Sequence, residues 1–192
     1  MNSVFNMMNK ASEAVEAARM LKLAQNVRRL REKRGMSLTE LAERAGISKS
    51  TLSLLESGRA NPTISTIWAI ADALNVPFGA LVDSEREFEI EESGVSVRLI
   101  ERLDGSEIYL MRLRPKGIRR AEPHPKGVRE HVFVVRGKML VGPLSSPKLV
   151  RAFEVYTFEG DRPHVYIALE DPALALVVVD YGEEVGEGEV SR

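Results

Sequence analysis

The spacing of apolar residues changes character about halfway along the chain. Up to about residue 83 they recur at a helical period, and from about residue 95 they alternate as in strands. In the first part Leu23, Val27 and Leu30 mark one face of a helix that stops at Gly35. Ser37 caps a second helix, and Glu40 three residues on completes a capping box; that helix runs over 38–45 and ends at Gly46. Ser48 opens a third helix that ends before Gly58. Thr63, after Pro62, caps a fourth, with Ile64, Ile67, Trp68, Ala71 and Leu74 on one face. Pro77 suits the first turn of a last short helix over 78–82.

The second part reads as short strands over 95–102, 107–114, 128–135, 138–141, 149–158, 164–169 and 174–181. Turn signals at Asp104-Gly105, Gly137, Gly142-Pro143, Gly160-Asp161 and Asp171-Pro172 separate them. Strands at that spacing predict a sandwich or barrel. The acid-rich stretch 83–94 between the halves reads as a solvated connector, with a short strand at 88–90. The predicted organisation is an N-terminal helical extension over 1–20, a helical domain over 21–83, an acidic linker over 84–94 and a strand domain over 95–192.

Composition narrows the class. Of 192 residues, 44% are hydrophobic and 29% charged, which excludes a wholly disordered chain. There is no cysteine, so disulfides, thiolate metal sites and thiol nucleophiles are excluded, in keeping with a reducing cytoplasm. The apolar runs are too short for a membrane-spanning helix, so no membrane association is expected. The first 20 residues lack the apolar core of a signal peptide. The net charge of −1 divides unevenly: residues 21–83 carry +3 and residues 84–192 carry −4, so the helical part is the one suited to a polyanion.

Two capped helices joined by three residues around a glycine, as over 37–58, suit a helix-turn-helix. Leu41, Ala42, Ile47, Leu52 and Leu55 would bury. Lys49, Ser50, Ser53 and Leu54 would point outward from the second helix, where base edges lie if it enters a major groove. On the residues alone, the same pattern also suits a small bundle with no nucleic-acid role. Residues 21–83 moreover resemble the XRE family of helix-turn-helix domains. The resemblance is carried by Leu30-Arg31, Arg34-Gly35, Leu41-Ala42, Gly46-Ile47-Ser48, Glu56-Ser57-Gly58 and Asn61-Pro62-Thr63. It implies a five-helix fold and a double-stranded DNA operator bound as a homodimer. It implies base reading by Lys49, Ser50 and Ser53, phosphate-side positions at Ser48, Thr51 and Arg59, and a structural ion pair between Arg31 and Glu56. The expected DNA-contacting set is Ser37, Thr39, Ser48, Lys49, Ser50, Thr51, Ser53, Leu54, Arg59 and Asn61. Leu38 stands where many members place a phosphate-contacting Gln, so that anchor is missing. A Ser- and Lys-based reading face leans on phosphates and DNA shape as well as direct readout.

The chain has three histidines. His124 and Glu130 flank a turn at Lys126-Gly127, and His164 opens a later strand; two His and one carboxylate on neighbouring strands can take one face of a divalent metal. Residues 96–181 resemble a cupin, the jelly-roll or double-stranded β-helix barrel. Gly117, His124, Lys126, Glu130 and Gly137 follow its first motif, with a longer first interval and Lys in place of the second His. Asp161-Arg162-Pro163-His164 matches the end of the second motif. The resemblance implies that His124, Glu130 and His164 are ligands to a divalent metal (zinc, iron, nickel or manganese) or hold an anionic effector, with Lys126 beside them as counter-charge. Tyr166 should line the same cavity, and His131 should face the other way. The fold expected is therefore a five-helix all-α domain followed by an all-β cupin. The function expected is a non-enzymatic transcription regulator whose cupin senses a small anionic, amino-acid-like or organic-acid molecule. The alternatives are a cupin metalloenzyme (dioxygenase or isomerase) with a DNA-binding appendage, and a cupin that serves only for dimerisation.

Overall fold

The computed structural model describes residues 2–82 and 89–182; the side chains of residues 2–13, 15, 16 and 89 are not among those described. Four α-helices come first: α1 (Asn2–Lys33), α2 (Leu38–Arg44), α3 (Lys49–Glu56) and α4 (Ile64–Ala73). The extension over 1–20 and the predicted first helix are thus one continuous helix from Asn2. Each of the later helices begins where its cap was read. Ser37 accepts from the Glu40 amide while its own amide donates to the Glu40 carboxylate, and Ser48 and Thr63 accept from the amides of Thr51 and Thr66. Gly46 and Gly58 follow α2 and α3 with φ of 64° and 68°, a conformation that residues with a Cβ rarely adopt.

A fifth α-helix is not formed. Its place is taken by a 3-10 turn at Phe78–Ala80. Polar groups that a longer helix would use along its own axis are bonded across the molecule instead. The Gly79 amide donates to Glu107, Leu81 O accepts from the Asn26 side chain, and Val82 O accepts from Arg102. These bonds fix the end of the helical domain against the strands that follow.

Among the described residues, ten strands make two antiparallel sheets. The first contains β1 (Glu89–Glu92), β2 (Val95–Leu103), β3 (Ser106–Leu113), β5 (Arg129–Arg136), β8 (Val155–Glu159) and β10 (Ala173–Asp180), in the order β1-β2-β3-β10-β5-β8. The second contains β4 (Ile118–Ala121), β6 (Lys138–Pro143), β7 (Lys148–Arg151) and β9 (His164–Ala168), in the order β4-β9-β6-β7. Strict alternation of burial along β3, β4 and β10 shows one face of each sheet turned inward. The expected linker over 84–94 is partly sheet, since Glu89–Glu92 pairs with β2; residues 84–88 lie outside the described residues. The predicted strand 149–158 is two strands, broken at a turn where Phe153 has φ of 68° and is 80% exposed. The turn is held by the Arg151 amide donating to Glu154. β4 was not predicted at all; it spans only four residues, three of them Arg119, Arg120 and Ala121.

Buried apolar side chains form one cluster that runs through both halves, from Leu23 and Val27 in α1 to Val177 and Val179 in β10. The join is aromatic: Trp68 of α4 packs on Phe78 at 4.6 Å and on Tyr109 of β3 at 5.5 Å between ring centroids. Among the described residues no helix is long and apolar enough to cross a membrane.

Candidate functional site

Two regions carry chemistry. The first is the outer face of α3. Leu52 and Leu55 bury inward, which turns Lys49, Ser50, Ser53 and Leu54 out. All ten residues of the expected DNA-contacting set are exposed. The Ser48 hydroxyl lies 2.8 Å from that of Ser50 and 2.7 Å from that of Thr51, so three hydroxyls gather at the start of α3. Arg59 is steadied by Ser57, whose hydroxyl donates in turn to Leu54 O. Leu54, 44% exposed, offers an apolar contact of the kind that reads a thymine methyl.

Arg31 and Glu56 lie behind that face. Arg31 donates from Nε to Glu56 Oε1 at 2.6 Å and from Nη2 to Glu56 Oε2 at 2.8 Å; its Nη1 donates to Met36 O at 2.9 Å. The pair ties α1 to α3 and uses three of the five guanidinium N–H groups inside the helical domain.

The second region lies inside the sandwich. Antiparallel pairing sets Ala121 opposite His164 and Arg119 opposite Tyr166, while Glu130 comes from the facing sheet. His124 reaches in from the loop after β4, where its amide donates to Gly160 O. A Cβ at Gly160 would stand 3.2 Å from the His124 ring and 3.4 Å from Glu130, so a side chain there would push these two groups by a few tenths of an ångström. His124, Glu130 and His164 are 7%, 1% and 1% exposed, and one ligand atom from each lies within 4.8 Å of the others.

The hydrogen-bond pattern defines what this centre accepts. His164 Nδ1 lies 2.8 Å from Arg162 O, a carbonyl that can only accept, so Nδ1 carries the proton. Its Nε2 then presents a lone pair, yet it stands 2.9 Å from Glu130 Oε1 and has no hydrogen-bond partner. His124 Nε2 approaches the same oxygen at 3.1 Å. The His164 lone pair and the Glu130 carboxylate thus face one another, and a cation beside them, the His124 proton or a metal ion, offsets their opposition. Glu130 Oε2 is held by the Tyr166 hydroxyl. Burial alone would lower the His124 pKa, but Asp72 and Glu130 prevail and raise it to about 9. Burial alone would raise that of Glu130, but His164 and His124 prevail and bring it down to about 2. The donor set of two imidazoles and one carboxylate suits a borderline divalent ion with open positions.

Lys126 does not join this centre. It is exposed in the turn before β5, away from the cavity walls. Charge on a turn residue is better solvated outside than turned in. The cation at the cavity is Arg119, 7% exposed, with an Nη1 that has no hydrogen-bond partner; burial lowers its pKa to about 10. The space beside the centre is about 20 Å³, room for one ion or water. Arg119 also borders an outer cleft of about 550 Å³ between the domains, with Ser65, Glu92, Lys116 and Arg120 on its walls. His131 lies on the opposite face of β5, bonded to Thr157. Sequence reasoning missed Arg119, Trp68 and Asp72. Arg119 sits on the unpredicted strand, and the other two belong to the helical half. Trp68 lies 4.7 Å from the His124 ring between centroids, and Asp72 Oδ1 lies 3.6 Å from His124 Nδ1.

Comparison with known proteins agrees with the first region. The HTH_3 helix-turn-helix family model matches residues 27–81. The HTH-type transcriptional regulator SutR of Escherichia coli K12 is 29% identical over 152 residues, covering 75% of this chain and 85% of that protein. An uncharacterised HTH-type transcriptional regulator, y4dJ of Sinorhizobium fredii, is 44% identical over 57 residues, covering 30% of this chain and 74% of that protein. The crystal structure of an HTH_3 family transcriptional regulator from Vibrio cholerae superposes with a TM-score of 0.79 at 28% identity, covering 86% of this chain and 98% of that one. With its capped helix pair, the outward face of α3 and relatives of this kind, the chain belongs to the HTH_3, XRE-type family of helix-turn-helix transcriptional regulators.

Proposed function

We propose that this transcriptional regulator is a cytoplasmic homodimer that grips double-stranded DNA through α3 and is controlled by what its cupin-type sandwich binds. The observation that carries the reading is the convergence of His124 Nε2 and His164 Nε2 on Glu130 Oε1, buried directly beneath α4 of the DNA-binding domain. His124, Glu130 and His164 would hold a divalent cation by two nitrogens and one oxygen. An anionic effector would enter from the outer cleft and meet Arg119, the role the sequence had given to Lys126. The dimer reading rests on the two-fold operators that such domains require. A sensor rather than an enzyme is favoured by the relatives, which are named transcriptional regulators.

Native mass spectrometry of the protein as purified tests this reading. It should show a dimer with one divalent ion or small anion per subunit, lost in His164→Ala. A protein that holds neither and takes up neither zinc nor a carboxylate when offered would overturn the sensor reading.

A further inference from the structure

The His124 ring has a second nitrogen that the site as described leaves unused. When Nε2 binds a cation, the imidazole must be neutral, so Nδ1 carries the ring proton. Nδ1 is buried and has no hydrogen-bond partner. The acceptor that faces it is Asp72 Oδ1, at 3.6 Å, a few tenths of an ångström too far for a hydrogen bond. Asp72 is not on the sandwich. It lies on α4, one turn beyond Trp68, whose ring already packs on the same imidazole at 4.7 Å. Metal-bound histidines generally donate their other N–H to a carboxylate, which fixes the ring and strengthens the ligand. Here that carboxylate comes from the DNA-binding domain.

We propose that Asp72 is a cross-domain positioning residue, which closes on His124 Nδ1 when a divalent cation occupies the His124–Glu130–His164 centre and so docks α4 more firmly on the sandwich. The proposal rests on the sensor reading above and supplies its missing link. An effector controls an equilibrium only through contacts that differ between its states. The Asp72–His124 pair is such a contact: it stands at 3.6 Å in this structure and closes to hydrogen-bond distance with the centre loaded. Trp68, the single tryptophan of the chain, lies at the same junction and reports on it.

The test is a zinc titration of the full chain, as wild type, Asp72→Ala, Asp72→Asn and His164→Ala. It is followed by calorimetry, by Trp68 fluorescence and by amide hydrogen exchange across 64–73. In the wild type, zinc should bind, change the Trp68 emission and slow exchange in α4. Asp72→Ala should bind zinc about 10–100-fold more weakly and lose the gain in α4 protection. Asp72→Asn, which keeps an acceptor oxygen and the shape of the side chain, should retain most of both. If Asp72→Ala binds zinc like the wild type with the same gain in α4 protection, the proposal is overturned while the metal centre stands. Equal losses in the Ala and Asn variants would overturn the hydrogen-bonding role. If the wild type binds no zinc, or binds it equally well in His164→Ala, the metal centre itself is wrong and the proposal goes with it.

Discussion

All three arms of the Arg31 guanidinium bond inside the helical domain, two to Glu56 and one to Met36 O. Arg31→Ala should therefore cost about 1–3 kcal/mol, below the range for breaking a fully buried pair because this one is partly exposed, while replacing Arg31 and Glu56 together by apolar residues should cost less. Thermal unfolding of the three variants checks this; unchanged stability with lost DNA binding would make Arg31 a phosphate contact. Lys49 and Arg59, both exposed, differ in what they should read. Lys49→Ala should lose about 1–3 kcal/mol at a preferred sequence, whereas Arg59→Ala should weaken all duplexes alike and flatten the salt dependence. Titrations on selected and random duplexes at several salt concentrations separate the two. Glu107 governs a pH effect at the domain join. Burial pushes its carboxyl above the ordinary 4.5, against the pull of Tyr109, Tyr181, the Gly79 amide and Arg102. An acid with a raised folded pKa favours folding most below its unfolded value. That contribution is lost as pH rises from about 4.5 through the folded value. Glu107→Gln should flatten this stretch of the stability profile measured by thermal denaturation.

At the scale of elements, the helix pair was legible because its punctuation is local. Ser37, Ser48 and Thr63 cap within three residues of themselves, and Gly46 and Gly58 stop helices by their own φ. The 3-10 turn at Phe78–Ala80 was not legible, since the bonds that decide it come from Glu107, Asn26 and Arg102, far along the chain. The break at Phe153 carries no Gly or Pro, and β4 is too short and too basic to show an apolar alternation. That short strand explains why Arg119 was missed. Motif spacing pointed to Lys126, but the inward register of β4 opposite β9 puts Arg119 at the cavity wall and leaves Lys126 exposed. Arg119→Met should accordingly abolish the effect of carboxylate effectors on DNA affinity, and Lys126→Ala should leave it unchanged. Duplex titrations with and without a panel of small carboxylates read this directly, and the opposite ranking would restore Lys126.

At the scale of the whole molecule, the two domains share a core and meet at the site. Trp68 and Asp72 reach His124 from α4, while Glu107 holds the Gly79 amide, and none of these pairings was visible from either half alone. Their arrangement lets a small change in the centre bear on the helix that packs beside α2. The central claim is that occupancy of His124, Glu130 and His164 alters how tightly α3 holds DNA. Duplex affinity of the full chain, measured at one salt concentration with and without zinc, for the wild type and His164→Ala, tests it most directly. The account predicts a zinc-dependent change of about 5-fold or more in the wild type, within the usual range of allosteric coupling, and none in His164→Ala. Equal affinities with and without zinc, in a wild-type protein shown to hold the ion at that centre, would contradict it.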